Sequence, residues 1–370
     1  MNRLKQIIFS LIVLLMVPVV GYAAQETANE HKEGELDAKE IIFEHLGDGY
    51  GWEVPFDHHH RIPLPVIVMG EGGFHVFSSS RISNGKTYTV DGVEYKIAGV
   101  DSPHKGRVVA IIDGKEYRPW DFSITKNVAA LWICVLVVCL LLLGLASYHK
   151  KNGFKTPRRL MGAVEGLTDF IWNGAVKPIL GPKARKFAPY LMTAFWFILV
   201  MNLLGLIVVF PGGANLTGNI AITLVLATLT FLVTNLYANK HYWKEIFWPD
   251  VPLMLKFPIP LMQIIEFFGM FTKPAALTVR LFANMLSGHM IVLVLTILIF
   301  IFSATSPYAG AGTTVVSVLF SIFMMLIDVL VSFIQAYVFT ILSTLFIALA
   351  QEHGEEHGEK VEDRLKNLEL

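Results

Sequence analysis

Long apolar runs, separated by short polar segments, fill the chain from residue 128 onward. The run at 128–145 contains no charged residue and is close to the length that crosses about 30 Å of hydrocarbon as a helix. Two further runs, at 190–210 and 220–236, lie on either side of the turn sequence Pro211-Gly212-Gly213. They predict a short membrane hairpin.

Two longer apolar patterns follow, at 260–303 and 315–350. At a rise of about 1.5 Å per residue, the first would form a helix on the order of 65 Å long, about twice the thickness of the hydrocarbon layer. We therefore expect a helix that is tilted, protrudes or breaks, with Pro274 as the candidate kink. The segment 303–314, rich in Gly, Ala, Ser and Pro, predicts a loop.

Together the apolar runs predict an all-α integral membrane protein. We expect about five membrane-crossing elements, two of them long and tilted, in a membrane domain at 126–351.

Residues 1–24 have the pattern of a secretory signal peptide. Arg3 and Lys5 precede an apolar stretch at 7–20, and small residues near position 24 resemble a cleavage site. The alternative is an uncleaved first membrane helix. Either interpretation exports the segment that follows, so we expect residues 25–125 outside the cytoplasm.

The segment 25–125 is polar and has the turn signals of a β structure. Asn84-Gly85, Asp91-Gly92 and Asp113-Gly114 are dipeptides typical of hairpins. We predict a small β-rich extracytoplasmic module, an N-terminal extension of the membrane domain. Its predicted strands are Tyr88–Val90, Val93–Ile97 and Val108–Ile112.

The triplet His58-His59-His60 lies in the same segment. A metal site needs ligands that converge from separate positions, whereas consecutive side chains point in different directions. We therefore interpret the triplet as part of a solvated polar loop.

The composition supports a membrane protein and argues against several function classes. Charged residues make up 16% of the 370 residues, against about 25% in ordinary soluble domains. A net charge of zero provides no basic field for nucleic acid. The sequence shows no phosphate-binding glycine loop and no Ser/His/Asp arrangement, so we do not expect an enzyme by itself, a cofactor or a metal.

Cys134 and Cys139 fall on different faces of one helix and are interpreted as small apolar residues.

Basic residues predict the orientation of the chain. His149-Lys150-Lys151 ends the first apolar run, and three more cations follow closely. Positive residues concentrate on the cytoplasmic side of membrane helices, which agrees with export of the preceding segment. The pattern at 160–180 is that of an amphipathic helix in the cytoplasmic interface. The charged tail 352–370 is expected in the cytoplasm.

Polar residues inside apolar helices are costly and mark candidate functional sites. At about 100° per residue, five of them between 260 and 303 form one stripe, in which every other member falls within about 40° of Arg280. This stripe consists of Glu266, Lys273, Arg280, Asn284 and Ser287. His289 falls on the opposite face, so it must serve a different neighbour.

The pattern at 315–350 has a polar stripe of its own. It consists of Ser321, Asp328, Ser332 and Gln335. Two long helices, each with one polar face, suggest a water-accessible path beside a protein partner.

Among these residues, Arg280 has the most clearly defined chemical role, because it carries a permanent positive charge. A guanidinium stays protonated and cannot relay protons, but its fixed positive charge promotes proton release from a nearby carboxylic acid. The alternatives are a snorkelling arginine and a structural salt bridge within the chain.

His289 and Asp328 form the natural proton-handling pair, because imidazole titrates near neutral pH. Glu266 is a candidate for the other end of a proton path. The alternatives are an ordinary hydrogen-bonded helix histidine for His289 and an interfacial carboxylate for Glu266. Lys273 has a similar alternative as a snorkelling side chain.

Three segments resemble the F-type ATP synthase a subunit family. Residues 273–289 read Lys-Pro-Ala-Ala-Leu-Thr-Val-Arg-Leu-Phe-Ala-Asn-Met-Leu-Ser-Gly-His and are similar to its signature. Residues 334–339 resemble its last-helix motif, and residues 201–206 resemble the end of its second span. The resemblance covers roughly residues 125–351 in the family's order and spacing. The segment up to residue 125 is larger than the family's usual N-terminus.

The resemblance implies a role for each matching residue. Arg280 would be the stator charge that faces the carboxylates of a rotating c-ring. His289 and Asp328 occupy the positions of a facing His/acid pair in the outer half-channel. Because Asp is shorter than the Glu of some members, a water could bridge that pair. Glu266 matches the acidic position of the cytoplasmic half-channel, and the polar lining would be formed by Asn284, Gln335, Ser287 and Ser332.

The resemblance further implies the proton-translocating stator subunit of F-type ATP synthase, which couples flow of H⁺, rather than Na⁺, to ring rotation. The implied partners are the c-subunit ring, peripheral-stalk b subunits and membrane lipid. The implied location is the bacterial inner membrane, with the mature N-terminus outside and the C-terminus in the cytoplasm. The alternative function is a secondary transporter or a self-contained ion channel, although no internal repeat supports it.

Overall fold

The computed structural model describes residues 47–351, except 55–56, 71–72, 84, 100–101, 113, 154, 208–212 and 248–260. The predicted signal peptide and the predicted C-terminal tail lie outside the described residues. A strand-rich part at 47–125 precedes a helical part at 126–351.

The strand-rich part forms three antiparallel sheets. The strands are β1 (Gly51–Val54), β2 (Asp57–Pro63), β3 (Pro65–Gly70), β4 (Gly73–Ser78), β5 (Tyr88–Val90), β6 (Val93–Ile97), β7 (Val108–Ile112), β8 (Lys115–Tyr117) and β9 (Trp120–Asp121). β1 pairs with β2, the order β4-β3-β9 makes a three-stranded sheet, and the order β5-β6-β7-β8 makes a four-stranded one. The three strands predicted from the sequence are confirmed with their predicted bounds.

Alternating side chains of the two larger sheets form the core of this part. The buried cluster consists of Tyr50, Val66, Val68, Phe77, Ile82, Tyr95, Val108 and Ala110. The hydroxyl of Tyr50 donates to the Asp121 carboxylate and accepts the Val108 N–H at 3.2 Å. Burial and the hydrogen bond to Asp121 raise the pKa of Tyr50 to about 12, so this contact stays formed at physiological pH.

The turn predictions are partly right. Asp91-Gly92 joins β5 to β6, and both residues have positive φ, 47° and 81°, as a tight hairpin of this type needs. Gly114, with φ 74°, lies between the paired strands β7 and β8. Asn84 lies outside the described residues. Gly85 follows a 3₁₀ turn at Ser79–Arg81, in the segment between β4 and β5, and these two strands belong to different sheets. The dipeptide favours a turn, but the partners of the neighbouring strands decide whether that turn closes a hairpin.

The histidine triplet 58–60 lies in strand β2 rather than in a loop, which corrects our interpretation. β2 pairs with β1 from Gly51↔Pro63 to Val54↔Asp57. Polarity alone does not exclude a strand, because one face of an antiparallel sheet can meet solvent.

The helical part begins where the strand-rich part ends. The helices are α1 (Lys126–Asn152), α2 (Leu160–Ile171), α3 (Lys177–Leu180), α4 (Ala184–Leu206), α5 (Ile220–Leu236), α6 (Lys240–Phe247), α7 (Leu261–Thr305) and α8 (Pro307–Gln351). A π-helical turn at Trp172–Val176 links α2 to α3. The predicted run at 220–236 is confirmed with its bounds. The long pattern that starts near residue 260 is confirmed as one 45-residue helix, which continues through Pro274.

The predicted loop at 303–314 is wrong, because only Ser306 separates α7 from α8. Pro307 occupies the first position of α8, where its missing N–H needs no helical partner. Gly310 lets the turn close. A Cβ on it would lie 2.7 Å from the Cα of Ser303. The Gly and Pro content predicted a segment that would end the helix and form a loop. In the structure, Pro307 and Gly310 instead allow the chain to pass from α7 to α8 within a single residue.

Four helical runs of the described residues are long and apolar enough to cross a membrane. They are Lys126–Asn152, Leu160–Leu206, Gln263–Ser303 and Gly310–Gln351. α5, at 17 residues, is apolar but shorter than these runs. The chain is therefore a mostly helical multi-pass membrane protein with a β-rich N-terminal region.

α8 lies at the centre of the helical part, in contact with α4, α5 and α7. α1 packs on α4 through Ala130, Cys134 and Val138, while Cys139 is exposed, and both cysteines are free. Two residues just before β1 cap α1. The Gly49 carbonyl accepts the Lys126 N–H at 2.8 Å, and the Asp48 carboxylate accepts the Asn127 N–H at 3.1 Å. These bonds satisfy donors that a helix N-terminus leaves open.

Candidate functional site

The outer half of the α7 stripe faces away from the rest of the chain. Arg280, Asn284 and Ser287 are all exposed. The neighbouring face of the same turns is buried and packs inward, through Leu277, Leu281, Met285 and Gly288. The helical periodicity therefore places Arg280 on a surface of the protein, at the middle of a helix of membrane-crossing length.

Arg280 has no acidic partner among the residues that the structure describes. The internal salt bridge considered from the sequence is thus not formed in this part of the chain. A guanidinium in an apolar helix is costly unless water, a carboxylate or a lipid headgroup reaches it. Its exposure leaves it available to such a group from outside the chain.

The other end of the α7 stripe turns partly inward. Glu266 and Lys273 are half-buried. The ammonium of Lys273 lies 5.7 Å from the centre of the Phe346 ring on α8. The predicted stripe is therefore continuous in angle along α7, but it is fully exposed only from Arg280 to Ser287.

Lys273 also lines a small cavity between α5, α6, α7 and α8. Its volume of about 20 Å³ is enough for one water molecule. Two buried polar atoms of residues that line this cavity, Thr234 Oγ1 and Asn235 Oδ1, have no hydrogen-bond partner among the residues that the structure describes. Such atoms favour a hydrated site over an apolar void.

The stripe on α8 faces inward instead of outward. Asp328 is 9% exposed, Gln335 is 6% exposed, and Ser332 is fully buried. The Ser332 carbonyl accepts the Asn202 side-chain amide at 3.5 Å across the contact with α4. Gln335 and Asn284 were expected to line one contact, but the first is buried and the second exposed. These three residues of the α8 stripe therefore lie in the interior of the helical part.

His289 lies between two carbonyl oxygens. Its Nδ1 is 3.0 Å from the Met285 oxygen, and its Nε2 is 3.2 Å from the Gly205 oxygen at the end of α4. Carbonyls only accept hydrogen bonds, so both ring nitrogens can donate only when the imidazole carries two protons. His289 was expected to contact a different neighbour from the α7 stripe, because it lies on the opposite face of the helix. That neighbour is Gly205.

Asp328 contacts α7 next to His289. A Cβ built on Gly288 would lie 2.8 Å from Oδ1 and 2.9 Å from Oδ2 of Asp328, closer than a carbon and an oxygen can approach. Only a glycine leaves room for the carboxylate there. His289 and Asp328 are thus brought to the same place on the α7–α8 contact without a direct hydrogen bond between them.

Gly288, Gly205 and Asn202 complete this site, and sequence reasoning missed their roles. Gly288 and Asn202 lie within the segments that carried the family resemblance, but nothing in the helical periodicity of α7 shows that a neighbouring carboxylate needs the missing side chain. Unpartnered oxygens of Asn202 and Gln335 are buried on either side of Ser332.

These helices match a known family. The model of the ATP synthase A chain family matches residues 128–348, which is more than half of the chain. The chain belongs to the ATP synthase A chain family. A separate domain of unknown function, DUF8433, matches residues 41–122, so the strand-rich part is a recognised module on an A chain core.

Curated relatives agree with this membership. ATP synthase subunit a of Chlorobium phaeobacteroides (strain DSM 266) is 43% identical over 216 residues, which cover 57% of this chain and 60% of the relative. ATP synthase subunit a of Chloroherpeton thalassium is 37% identical over 248 residues, covering 65% and 68%. ATP synthase subunit a of Chlorobium phaeobacteroides (strain BS1) is 35% identical over 305 residues, covering 81% and 73%. The chain spans less than two thirds of the length of the first of these relatives.

Proposed function

We propose that the chain is the proton-translocating stator subunit of an F-type ATP synthase, which couples proton flow to rotation of a c-subunit ring. The observation that carries the proposal is Arg280, an exposed cation without an acidic partner in the described residues, on a membrane-length helix. A cation so placed is stabilised when a carboxylate of another subunit comes opposite it.

The first step is proton entry from the outer side. In the proposed path a proton reaches His289 and Asp328, which meet at the α7–α8 contact beside Gly288. The carbonyls of Met285 and Gly205 hold the His289 ring in place, and Asp328 is close enough to exchange the proton with it through water. The proton then passes to a carboxylate on the ring.

The second step takes place at Arg280. As the ring returns a protonated carboxylic acid to the exposed stripe, the guanidinium favours the carboxylate and so promotes release of the proton. The same charge repels a hydronium ion that would cross directly between the two half-channels. Asn284 and Ser287 line this contact, and the buried Gln335 and Ser332 line the path behind it.

The third step is proton release toward the cytoplasm. Glu266 is the proposed acceptor, half-buried at the end of α7 that is distant from His289. The hydrated cavity beside Lys273, Thr234 and Asn235 lies on the same part of the helix bundle and supplies water to this exit.

The proposal also specifies which elements cross the membrane and on which side the other segments lie. α1, α4, α5, α7 and α8 are the five crossing elements, α2 lies in the cytoplasmic interface, and the membrane is the bacterial inner membrane. Residues 1–24 direct export, residues 25–125 form an extracytoplasmic module, and residues 352–370 lie in the cytoplasm. The basic residues after α1 support this orientation. The proposed partners are the c-ring and peripheral-stalk b subunits.

Reconstitution distinguishes this function from that of a self-contained channel or transporter. Vesicles are prepared with the chain alone, with the c-subunit alone, and with both plus the stalk subunits, and an imposed potassium potential drives proton flux that a pH-sensitive dye reports. We expect flux only in the complete set. Flux through the chain alone would assign it to the channel or transporter class, and absence of flux from every combination, despite verified assembly, would count against proton conduction.

Gly288 provides a sharp test of the outer path. In Gly288→Ala the new methyl group pushes the Asp328 carboxylate away, because the distances of 2.8 and 2.9 Å leave no room for it. Misplacement of a reacting group by about 1 Å can cost on the order of 100-fold, so we expect dye-reported proton flux to fall at least ~10-fold. Gly269→Ala is the matched control on the same helix, where a Cβ meets nothing within 4 Å. Equal flux in the two variants would remove Asp328 from the path.

A further inference from the structure

One face of the three-stranded sheet in the strand-rich part exposes large apolar side chains. Met69 pairs with Phe74 on β4 and with Trp120 on β9, and Ile67 pairs with Val76, so all lie on one face. Phe74, Val76, Trp120 and Phe122 are between 59% and 72% exposed, and Met69 is 45% exposed. The opposite face, with Val66 and Val68, is buried in the core. We call the exposed side, formed by Met69, Phe74, Val76, Trp120 and Phe122, the apolar sheet face.

The apolar sheet face contains no charged residue, whereas the rest of this part of the chain is rich in exposed charge. Lys86, Arg107, Lys115 and Arg118, among others, are exposed outside the three strands. This separation makes the strand-rich part amphipathic. Scattered exposed apolar residues are ordinary, but a contiguous aromatic face marks a surface that something covers.

The sheet continues directly into the first membrane helix. Hydrogen bonds from the Phe122 N–H to the Ile67 oxygen, at 2.9 Å, and from the Ile124 N–H to the Pro65 oxygen, at 3.2 Å, extend the pairing to the residue before Thr125. Thr125 is the N-cap of α1. At about 3.3 Å per residue, Trp120 is at most roughly 17 Å along the chain from that cap.

After a first turn that begins with the buried polar residues Lys126 and Asn127, α1 exposes several apolar side chains. Trp132 is 67% exposed, and it begins a stripe of exposed side chains that continues with Leu136, Leu140 and Leu143. Apolar residues start at Val128, so the hydrocarbon boundary lies within one turn of the α1 cap. Trp and Phe at such a boundary are typical of the headgroup layer. Along the chain, the apolar sheet face is thus followed directly by an exposed apolar stripe of a membrane-length helix.

We propose that the apolar sheet face is a membrane-surface anchor that inserts its aromatic side chains into the lipid headgroup layer at the Thr125 end of α1. The Ile124 N–H donates to the Pro65 carbonyl on β3, and the first N–H groups of α1 donate to Gly49 and Asp48, so the strand-rich part is tied to the start of the helix. Apolar faces anchored in this way lie about 5–10 Å into the headgroup and acyl boundary. The inference holds whichever side of the membrane that end faces, and it is independent of the proposed proton path.

Fluorescence quenching by lipid tests the anchor in the full-length chain, purified with its complex intact. Val76→Cys and Phe122→Cys are each labelled with bimane in a Cys139→Ala background, in which the remaining Cys134 is buried. The protein is placed in phosphatidylcholine–phosphatidylglycerol vesicles with or without lipid that carries a nitroxide near the glycerol backbone. Thr89→Cys, exposed on β5 of the other sheet, is the matched control.

We expect the nitroxide lipid to lower emission about twofold or more at positions 76 and 122, and by less than about 10% at position 89, given insertion to this depth. Equal, weak quenching at all three positions would overturn the proposal. So would protection of positions 76 and 122 from a water-soluble thiol reagent without quenching, since that result assigns the face to another protein. Protection that persists when the chain is stripped of lipid and partners in detergent would instead show that other residues of this chain cover it.

Discussion

Arg280→Ala is expected to abolish proton-driven ATP synthesis while the chain stays in the membrane. Its guanidinium is exposed and without an acidic partner in the described part, so the variant loses the charge that favours ring deprotonation rather than an internal contact. Loss of one preorganised electrostatic group typically costs 100-fold or more, and we expect a decrease of roughly that size. ATP synthesis in respiring inverted membrane vesicles is the measurement, normalised to the amount of assembled complex.

Lys273→Ala is the matched control for Arg280→Ala. Both are cations of the same stripe on α7, about two turns apart, but Lys273 leans toward Phe346 and the internal cavity. We expect Lys273→Ala to keep synthesis within about threefold, because its half-buried ammonium lies off the exposed part of the stripe and does not face the charge that develops on the ring. Normal synthesis in Arg280→Ala, with the complex assembled, would contradict the stator role.

Asp328→Asn is expected to slow proton conduction at least about 10-fold, a typical loss for a group that transfers protons. Asparagine has nearly the same shape as aspartate and fills the same space beside Gly288, but it cannot bind or release a proton in this range. The fold is therefore retained and the chemistry is lost. Dye-reported proton uptake under an imposed potential, in vesicles with the complete complex, gives the rate.

Ser321→Ala is the control for Asp328→Asn. Ser321 is on the same face of α8, about two turns away, and it is only half-buried. Its removal should leave the rate within about twofold, as expected for a hydroxyl outside the path. An unchanged rate in Asp328→Asn would place the outer path elsewhere.

Local sequence patterns predicted most of the elements. Strands β5 to β7 and helix α5 have their predicted bounds, because clean alternation and an uninterrupted apolar run leave few alternatives. The loop predicted at 303–314 failed for a local reason as well. Pro and Gly destabilise the middle of a helix. Here Pro307 is the first residue of α8 and Gly310 lies in close contact with Ser303, and in these positions they allow α8 to begin directly after α7.

The sequence predicted which residues of the candidate site share a helix face, but not what each face contacts. Angular spacing showed that Arg280, Asn284 and Ser287 share a face, and the structure places all three on the exterior. Spacing alone does not say what a face meets. The equivalent stripe on α8, with Asp328 and Gln335, proved to be internal, because that face packs against α7 and α4. The role of Gly288 depends on a side chain 40 positions away and has no local signal.

The proposal that the exposed stripe on α7 faces a ring carboxylate is tested most directly by disulfide cross-linking within the assembled complex. Cysteines at Asn284 and Ser287 are each paired with a cysteine one helical turn from the ring carboxylate, and Ser332→Cys, fully buried on α8, is the control. We expect rapid cross-linking from positions 284 and 287 and none from 332, with ring rotation blocked when the bond forms. Cross-linking from none of them, in a complex shown to contain the ring, would contradict the claim that Arg280 faces the ring.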